Sequence, residues 1–156
     1  MGAGRTSWLR GACAAALALP ALACGSSPAP PVAAPAQVEL DIFSGRPNPT
    51  WTLSDADDAD LRARLAALPS ASAATLHSDL GYRGLIVRLA DPAGPQVVRI
   101  QRGHVQADGA EPPAEGNRAD SGRSLERWLL GTGRSGLEPG LYDIALQDKG
   151  PPLSAG

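Results

Sequence analysis

The chain has 156 residues, of which 43% are hydrophobic and 19% are charged, and its formal net charge is −2. A chain of this length and composition can bury one core, and its negative charge argues against a nucleic-acid partner. The sequence contains only two histidines, and its two cysteines are Cys13 and Cys24. This set does not provide the ligands of a zinc site, so we predict no metal and no cofactor.

The first 23 residues have the organisation of a cleavable secretory signal peptide. Arg5 and Arg10 are the only charges before residue 39, and they precede an apolar run at residues 11–23. This run of 13 residues is shorter than the roughly 20 residues that a transmembrane helix needs. Alanines occupy the −3 and −1 positions before Cys24, where signal peptidases require small residues. We therefore predict that residues 1–23 are removed and that the chain is exported.

The cleavage site also carries a candidate lipidation site. Residues 20–24, Pro-Ala-Leu-Ala-Cys, resemble the lipobox of bacterial lipoproteins, although Ala21 stands where leucine is most common. The resemblance implies that Cys24 carries a diacylglycerol thioether and attaches the chain to a membrane. Gly25 follows the cysteine instead of aspartate, which by the same resemblance implies the outer membrane in a Gram-negative cell. Simple secretion into the medium is the alternative.

The remainder of the chain is predicted to form one domain between two unstructured ends. Residues 24–37 are rich in Pro, Ala and Ser without apolar periodicity, which predicts an extended tether. We place a single domain at residues 38–148 and a loose C-terminal tail at 149–156.

The first strand and helix of the domain have clear patterns. Residues 38–43 alternate apolar and polar side chains, which predicts a half-buried strand. A helix is predicted over 54–67, because Ser54 can cap its first turn, Asp57 lies three residues later and Pro69 follows its end. The aspartates of its first turn suit the helix dipole better than they suit a calcium loop.

The other segments complete an α+β pattern. We predict strands at 84–90, 96–101, 104–107 and 141–146, a solvated loop at 108–119, and a helix that starts after Asp120 or Ser121 and ends at Gly131. The expected fold is a small antiparallel sheet of about four to five strands with two helices on one face.

One loop concentrates the candidate binding residues. Residues 43–51, Phe-Ser-Gly-Arg-Pro-Asn-Pro-Thr-Trp, contain two prolines that restrict the backbone of the residue before each. A stiff loop of this kind could hold Arg46 and Asn48 near the rings of Phe43 and Trp51, and these groups suit a carboxylate or a sugar. The alternative is that the prolines only fix the path of the chain from the strand into the helix.

The same loop carries a second resemblance. Residues 41–51, Asp-Ile-Phe-Ser-Gly-Arg-Pro-Asn-Pro-Thr-Trp, are similar to a motif of uncharacterised small exported bacterial proteins. This resemblance implies export and no particular activity.

Catalytic motifs are weak, and we predict no catalytic residue. Residues 131–136 match the letters Gly-x-Gly-x-x-Gly, but a helix is predicted before them and a Pro-Gly turn after them, whereas nucleotide binding requires a strand before and a helix after. The expected function is therefore a lipid-anchored envelope protein with a non-enzymatic domain that binds an envelope protein or a small ligand. The alternatives are a small secreted hydrolase that uses His104 and a purely structural envelope domain.

Overall fold

The computed structural model describes residues 34–72, 76, 78, 80–91, 94–108 and 116–148. The predicted signal peptide, Cys24, most of the tether, His77 and the C-terminal tail lie outside these residues. No helix in the part of the chain that the structure describes has the length and apolar character needed to cross a membrane.

The described residues form six strands and three α-helices. In chain order these are β1 (Gln37–Asp41), β2 (Thr50–Thr52), α1 (Asp55–Ala67), β3 (Gly84–Leu89), β4 (Gln96–Gln101), β5 (His104–Asp108), β6 (Asn117–Ala119), α2 (Ser124–Gly133) and α3 (Leu141–Gln147). The strands form one antiparallel sheet in the order β2-β1-β3-β4-β5-β6. The predicted α+β class is confirmed, with one strand and one helix more than expected.

All three helices pack on the same face of the sheet. Alternate residues of β1, β3, β4 and β5 point into one apolar cluster, which the buried side of each helix completes. The fully or nearly buried members of this cluster are Val38, Leu40, Leu61, Leu85, Val87, Val98, Ile100, Val105, Leu125, Leu129, Leu130 and Ala145. Each buried leucine contributes about 1.5–3 kcal/mol relative to an exposed one. The opposite face carries the intervening polar and charged residues of the same strands.

The start of α1 follows the predicted capping pattern. The Ser54 hydroxyl accepts a hydrogen bond from the Asp57 amide at 3.1 Å, and the helix ends at Ala67, two residues before Pro69. Two of the aspartates in the first half of the helix form ion pairs with arginines four residues later, Asp58 with Arg62 and Asp60 with Arg64.

The start of α2 depends on a buried carboxylate. Asp120 has no exposed surface and accepts hydrogen bonds from the amides of Leu125 at 3.0 Å and Glu126 at 3.1 Å. Asp120 thus binds amides of the first turn of α2, as expected for a capping side chain, although the N-cap position itself is occupied by Arg123. The predicted end of this helix at Gly131 is wrong, because α2 continues to Gly133 and is followed by a 3-10 turn.

The predicted final strand at 141–146 is also wrong, because this segment is helix α3. Leu141 and Ala145 are its buried residues, and a spacing of four fits a helix as well as it fits the alternation of a strand. The predicted turn before it is present, since the Leu141 amide bonds to the Glu138 carbonyl at 3.1 Å and Gly140 has a φ of 89°. The helix contacts α2, and Leu141 and Ala145 belong to the same apolar cluster as the inward-facing strand residues.

Two short strands were not predicted. β2 and β6 have three residues each, which is too short for an alternating pattern to be recognised. β6 lies at the end of the predicted loop 108–119, and its outer side bonds to the chain after α1 through the Pro69 carbonyl and the Ala71 amide. β2 pairs with β1 and brings the Phe43–Trp51 loop to the edge of the sheet.

Candidate functional site

Asn48 uses its whole side-chain amide to hold the loop in place. Its Oδ1 accepts hydrogen bonds from the amides of Ile42 at 3.1 Å and Phe43 at 2.8 Å. Its Nδ2 donates to Glu39 Oε1 at 3.0 Å and to Asp41 Oδ1 at 3.2 Å. A ligand could bind the Asn48 amide only by replacing these bonds, so the geometry assigns Asn48 a structural role.

Arg46 lies at the surface between Phe43 and the α2–α3 connection. Its guanidinium is 3.6 Å from the centre of the Phe43 ring and forms two hydrogen bonds of 3.0 Å with the Glu138 carboxylate. The hydrogen bonds and charge of Arg46 hold the pKa of Glu138 below its usual range. The two side chains are 51% and 58% exposed, so a partner molecule can reach them.

Trp51 packs against the end of α2. Its Nε1 donates to the Thr132 hydroxyl at 2.9 Å. A Cβ atom placed on Gly133 would lie 2.5 Å from Cε2 of the Trp51 ring, so only glycine allows this approach. Of the four predicted binding residues, Phe43 and Arg46 are therefore in contact with each other, whereas Asn48 and Trp51 bond to the interior of the domain.

A cleft of ≈ 330 Å³ lies on the sheet face opposite the helices. Its lining residues are Asp41, Leu76, Ser78, Arg83, Leu85, Ile86, Arg99 and Gln106. The loop supports one wall of this cleft, because Asn48 bonds to Asp41 while Arg83 donates to Asp41 at 2.5 Å and to the Phe43 carbonyl at 2.8 Å. The structure thus joins the loop and the cleft through shared side chains.

Sequence patterns did not single out four residues of this site, namely Glu138, Arg83, Arg99 and Gln106. Glu138 lies 92 positions from Arg46 along the chain, and Arg83 lies 42 positions from Asp41. The only sequence evidence for Arg99 and Gln106 was their position on the polar side of predicted strands, which is shared with many solvated residues.

A separate group of polar side chains is buried under α2. The Tyr82 hydroxyl donates to Glu126, whose side chain is fully buried and also accepts from Arg123 at 2.8 and 2.9 Å. Burial first, and then the charge of Glu126, raise the pKa of Tyr82 well above its usual range. Burial tends to lower the pKa of Arg123, but its hydrogen bonds and attraction to Glu126 raise it overall. Because each group has a charged or polar partner, this cluster is accounted for as a structural network.

The histidine of the hydrolase alternative lies apart from the cleft. His104 is partly buried at the start of β5, opposite Gln101 in the β4–β5 hairpin, and does not line the ≈ 330 Å³ cleft. No described carboxylate is hydrogen-bonded to it. Between residues 34 and 148, in the ranges that the structure covers, no three His, Cys, Asp or Glu side chains are grouped as metal ligands.

Comparisons of the chain with protein-family models, with curated proteins and with solved structures find no match.

Proposed function

We propose that this chain is an exported, lipid-anchored protein of the cell envelope whose domain binds a small ligand or a partner protein without catalysing a reaction. The observation that supports the binding role is the cleft of ≈ 330 Å³ on the sheet face opposite the helices. Its size is at the lower end of the range of small-molecule sites, and its lining is mainly polar and charged, with Ile86 and Leu76 as apolar neighbours.

The proposed position of the anchor rests on the sequence of residues 20–24. Lipidation of Cys24 would attach the chain to the outer membrane in a Gram-negative cell, and residues 25–33 would separate the lipid from the domain. The domain begins close behind this segment, since Ala36 is fully buried and the first strand starts at Gln37.

The anchor is tested by the intact mass of the protein extracted from its native membrane. We expect a mass that begins at Cys24 and includes a diacylglycerol group and one amide-linked acyl chain, and we expect Cys24→Ala to release the protein from the membrane. Cys13→Ala is the matched control, because Cys13 lies in the predicted signal peptide and its loss should change neither mass nor location. An unmodified chain that begins at Cys24 would reduce the proposal to secretion.

The loop supports this binding role indirectly. Asn48 and the Phe43 carbonyl hold Asp41 and Arg83 in the wall of the cleft, while Arg46 offers an exposed guanidinium beside an aromatic ring. A purely structural domain is the second candidate, and the complete internal bonding of Asn48 favours it.

The two candidates are separated by photo-crosslinking in the native envelope. A photoreactive residue is placed at Gln106 in the cleft, at Arg46 in the loop, or at Arg127, an exposed position on α2 that serves as the control. A binding domain should give a discrete adduct from Gln106 or Arg46 and none from Arg127, and the adduct mass distinguishes a small ligand from a protein. Equal labelling at all three positions would support the purely structural domain, and no labelling at any of them would contradict a partner protein in the envelope.

A further inference from the structure

One cation in the cleft has unused hydrogen-bonding capacity. Arg99 Nε contacts Asp108 Oδ2 at 3.4 Å, the longest ion pair in the described part of the chain, and the two side chains are 45% and 48% exposed. An ion pair this long and this exposed contributes little. The terminal nitrogens of Arg99 donate to no other described residue, so most of its five donors are open to a ligand.

The second cation of the cleft is already neutralised. Arg83 pairs with Asp41 at 2.5 Å, and both side chains are only 17% exposed. Arg83 also donates to the Phe43 carbonyl. Asp41 is the only acidic residue among those that line the cleft, and the carboxylate of Asp108 contacts Arg99 only at Nε, so the terminal nitrogens of Arg99 are the groups of the cleft that an anion can bind.

The neighbours of Arg99 in the sheet define the rest of the ligand. Ile86 on β3 is paired directly with Arg99 on one side, and Gln106 on β5 is paired with it on the other. Leu76 adds further apolar surface to the cleft. A planar guanidinium binds a carboxylate through two parallel hydrogen bonds, while the apolar walls favour a ligand with a hydrocarbon part.

We infer that the cleft binds a small organic acid, whose carboxylate pairs with the terminal nitrogens of Arg99 and whose apolar part lies against Ile86. The inference rests on the proposed binding function and specifies the chemical class of the ligand. Gln106 lies beside Arg99 in the sheet, where it can bond to a second polar group if the acid carries one.

The test is an NMR titration of the purified full-length chain with two matched series of probes. The acids are acetate, 4-methylpentanoate and benzoate, and the controls are the neutral amides of the same acids. We expect saturable shifts at Arg99 Nε–H and at the Gln106 side-chain amide, with 4-methylpentanoate and benzoate binding more tightly than acetate. Each amide should bind at least about tenfold more weakly than its acid, because it lacks the charge that pairs with Arg99.

Two pairs of variants test whether the acid binds beside Arg99. Arg99→Gln should weaken acid binding at least about tenfold, whereas Arg88→Gln should change it less than twofold, since Arg88 is 47% exposed on the adjacent strand but does not line the cleft. Ile86→Glu should abolish acid binding, because the new carboxylate would lie beside Arg99 in the sheet. Ile86→Gln should retain binding of acetate. Thermal melting of each variant verifies that the domain remains folded.

Equal binding of acids and amides, an unchanged affinity of Arg99→Gln, or no shift at the cleft residues would each overturn this inference. These results would leave the proposed function intact if the crosslinks at Gln106 or Arg46 were still formed. Loss of those crosslinks together with clear acid binding would instead contradict an envelope partner protein and retain the organic acid as the ligand.

Discussion

At the scale of single residues, Asn48 contributes most to the shape of the loop. Its four hydrogen bonds join two backbone amides after β1 to the carboxylates of Glu39 and Asp41. An amide is the only side-chain group of this size that can accept two bonds and donate two at once. The residue type is thus determined by the contacts at both ends of the side chain.

Two replacements of Asn48 should separate the contribution of its side-chain oxygen from that of its nitrogen. Asn48→Ala leaves the amides of Ile42 and Phe43 without acceptors, and we expect a loss of about 2–4 kcal/mol in the free energy of unfolding. Asn48→Asp keeps the acceptors but places a carboxylate beside Glu39 and Asp41, so its deficit should decrease as the pH falls towards 4, where carboxylates become protonated. Urea unfolding at pH 7 and pH 4 provides the measurement.

Thr50→Ala is the control for this pair, since Thr50 is exposed at the sheet edge. Its free energy of unfolding should change by no more than about 0.5 kcal/mol. An Asn48→Ala variant as stable as Thr50→Ala would contradict the structural role of Asn48.

Tyr82 should make the stability of the domain sensitive to alkaline pH. Its pKa in the folded state is raised by burial and by Glu126, so the folded state retains the phenol proton after the unfolded state has lost it. The stabilisation is complete below the unfolded pKa of about 10 and decreases above it by about 1.4 kcal/mol per pH unit. Unfolding free energies at pH 8 and pH 11 should therefore show a steeper decrease for the wild type than for Tyr82→Phe. Equal decreases would show that the phenol does not titrate in this way.

At the scale of elements, the contact between β2 and α2 depends on one glycine. The Trp51 ring lies where a Gly133 side chain would be, and its Nε1 bonds to Thr132 in the same turn of the helix. The turn that follows leads to Glu138, which pairs with Arg46. The position of the loop relative to the helices is therefore determined by Trp51 packing more than by the exposed ion pair.

Two glycines of α2 offer a matched test of this contact. Gly133→Ala places a methyl group against the ring atoms of Trp51 and should lower the free energy of unfolding by about 1–3 kcal/mol. Gly131 has nothing within 4 Å of its added Cβ, so Gly131→Ala should increase the free energy of unfolding by about 0.5–1 kcal/mol through helix propensity. Chemical denaturation of both variants is sufficient, and a change of the same sign in both would contradict the proposed contact.

At the scale of the whole molecule, distant segments meet in one core. Ala36 near the start of the domain is fully buried, and so is Ala145 near its end. The Arg102 guanidinium bonds to Asp148 across 46 positions of the chain at 2.8 Å, and Arg123 donates to the Ala145 carbonyl at 3.1 Å. Both ends of the described domain are thus bonded to its central elements.

Truncation from the N-terminus should reveal where the domain begins. A chain that starts at residue 34 keeps Ala36 and Val38, which have no exposed surface, and should melt at the same temperature as the full chain. A chain that starts at residue 39 loses both residues and the bond from the Leu53 amide to the Ala36 carbonyl, and should be less stable by at least about 3 kcal/mol. Circular dichroism melting compares the three chains, and equal stability of the two truncated forms would place the boundary of the domain further along the chain.

Local patterns in the sequence determined the elements whose signals lie within a few neighbouring residues. The alternation of β1, the strands β3 and β4, the Ser54 cap and the role of Asp120 before α2 were all predicted from such patterns, because each depends on residues that are close together in the sequence. The same reasoning failed at 141–146, where a spacing of four residues fits both a strand and a helix.

The tertiary structure alone decided which residues share a site. The sequence identified Arg46 and Asn48 as polar groups on a stiff loop, but it could not indicate that Asn48 bonds inward or that Arg46 pairs with Glu138, since these partners are set by the packing of β2 against α2. The cleft around Arg99 likewise forms only when β3, β4 and β5 pair in register and Leu76 and Ser78 lie beside them. Export and the Cys24 anchor are predictions from linear motifs, whereas the binding surface depends on contacts between residues that are far apart in the chain.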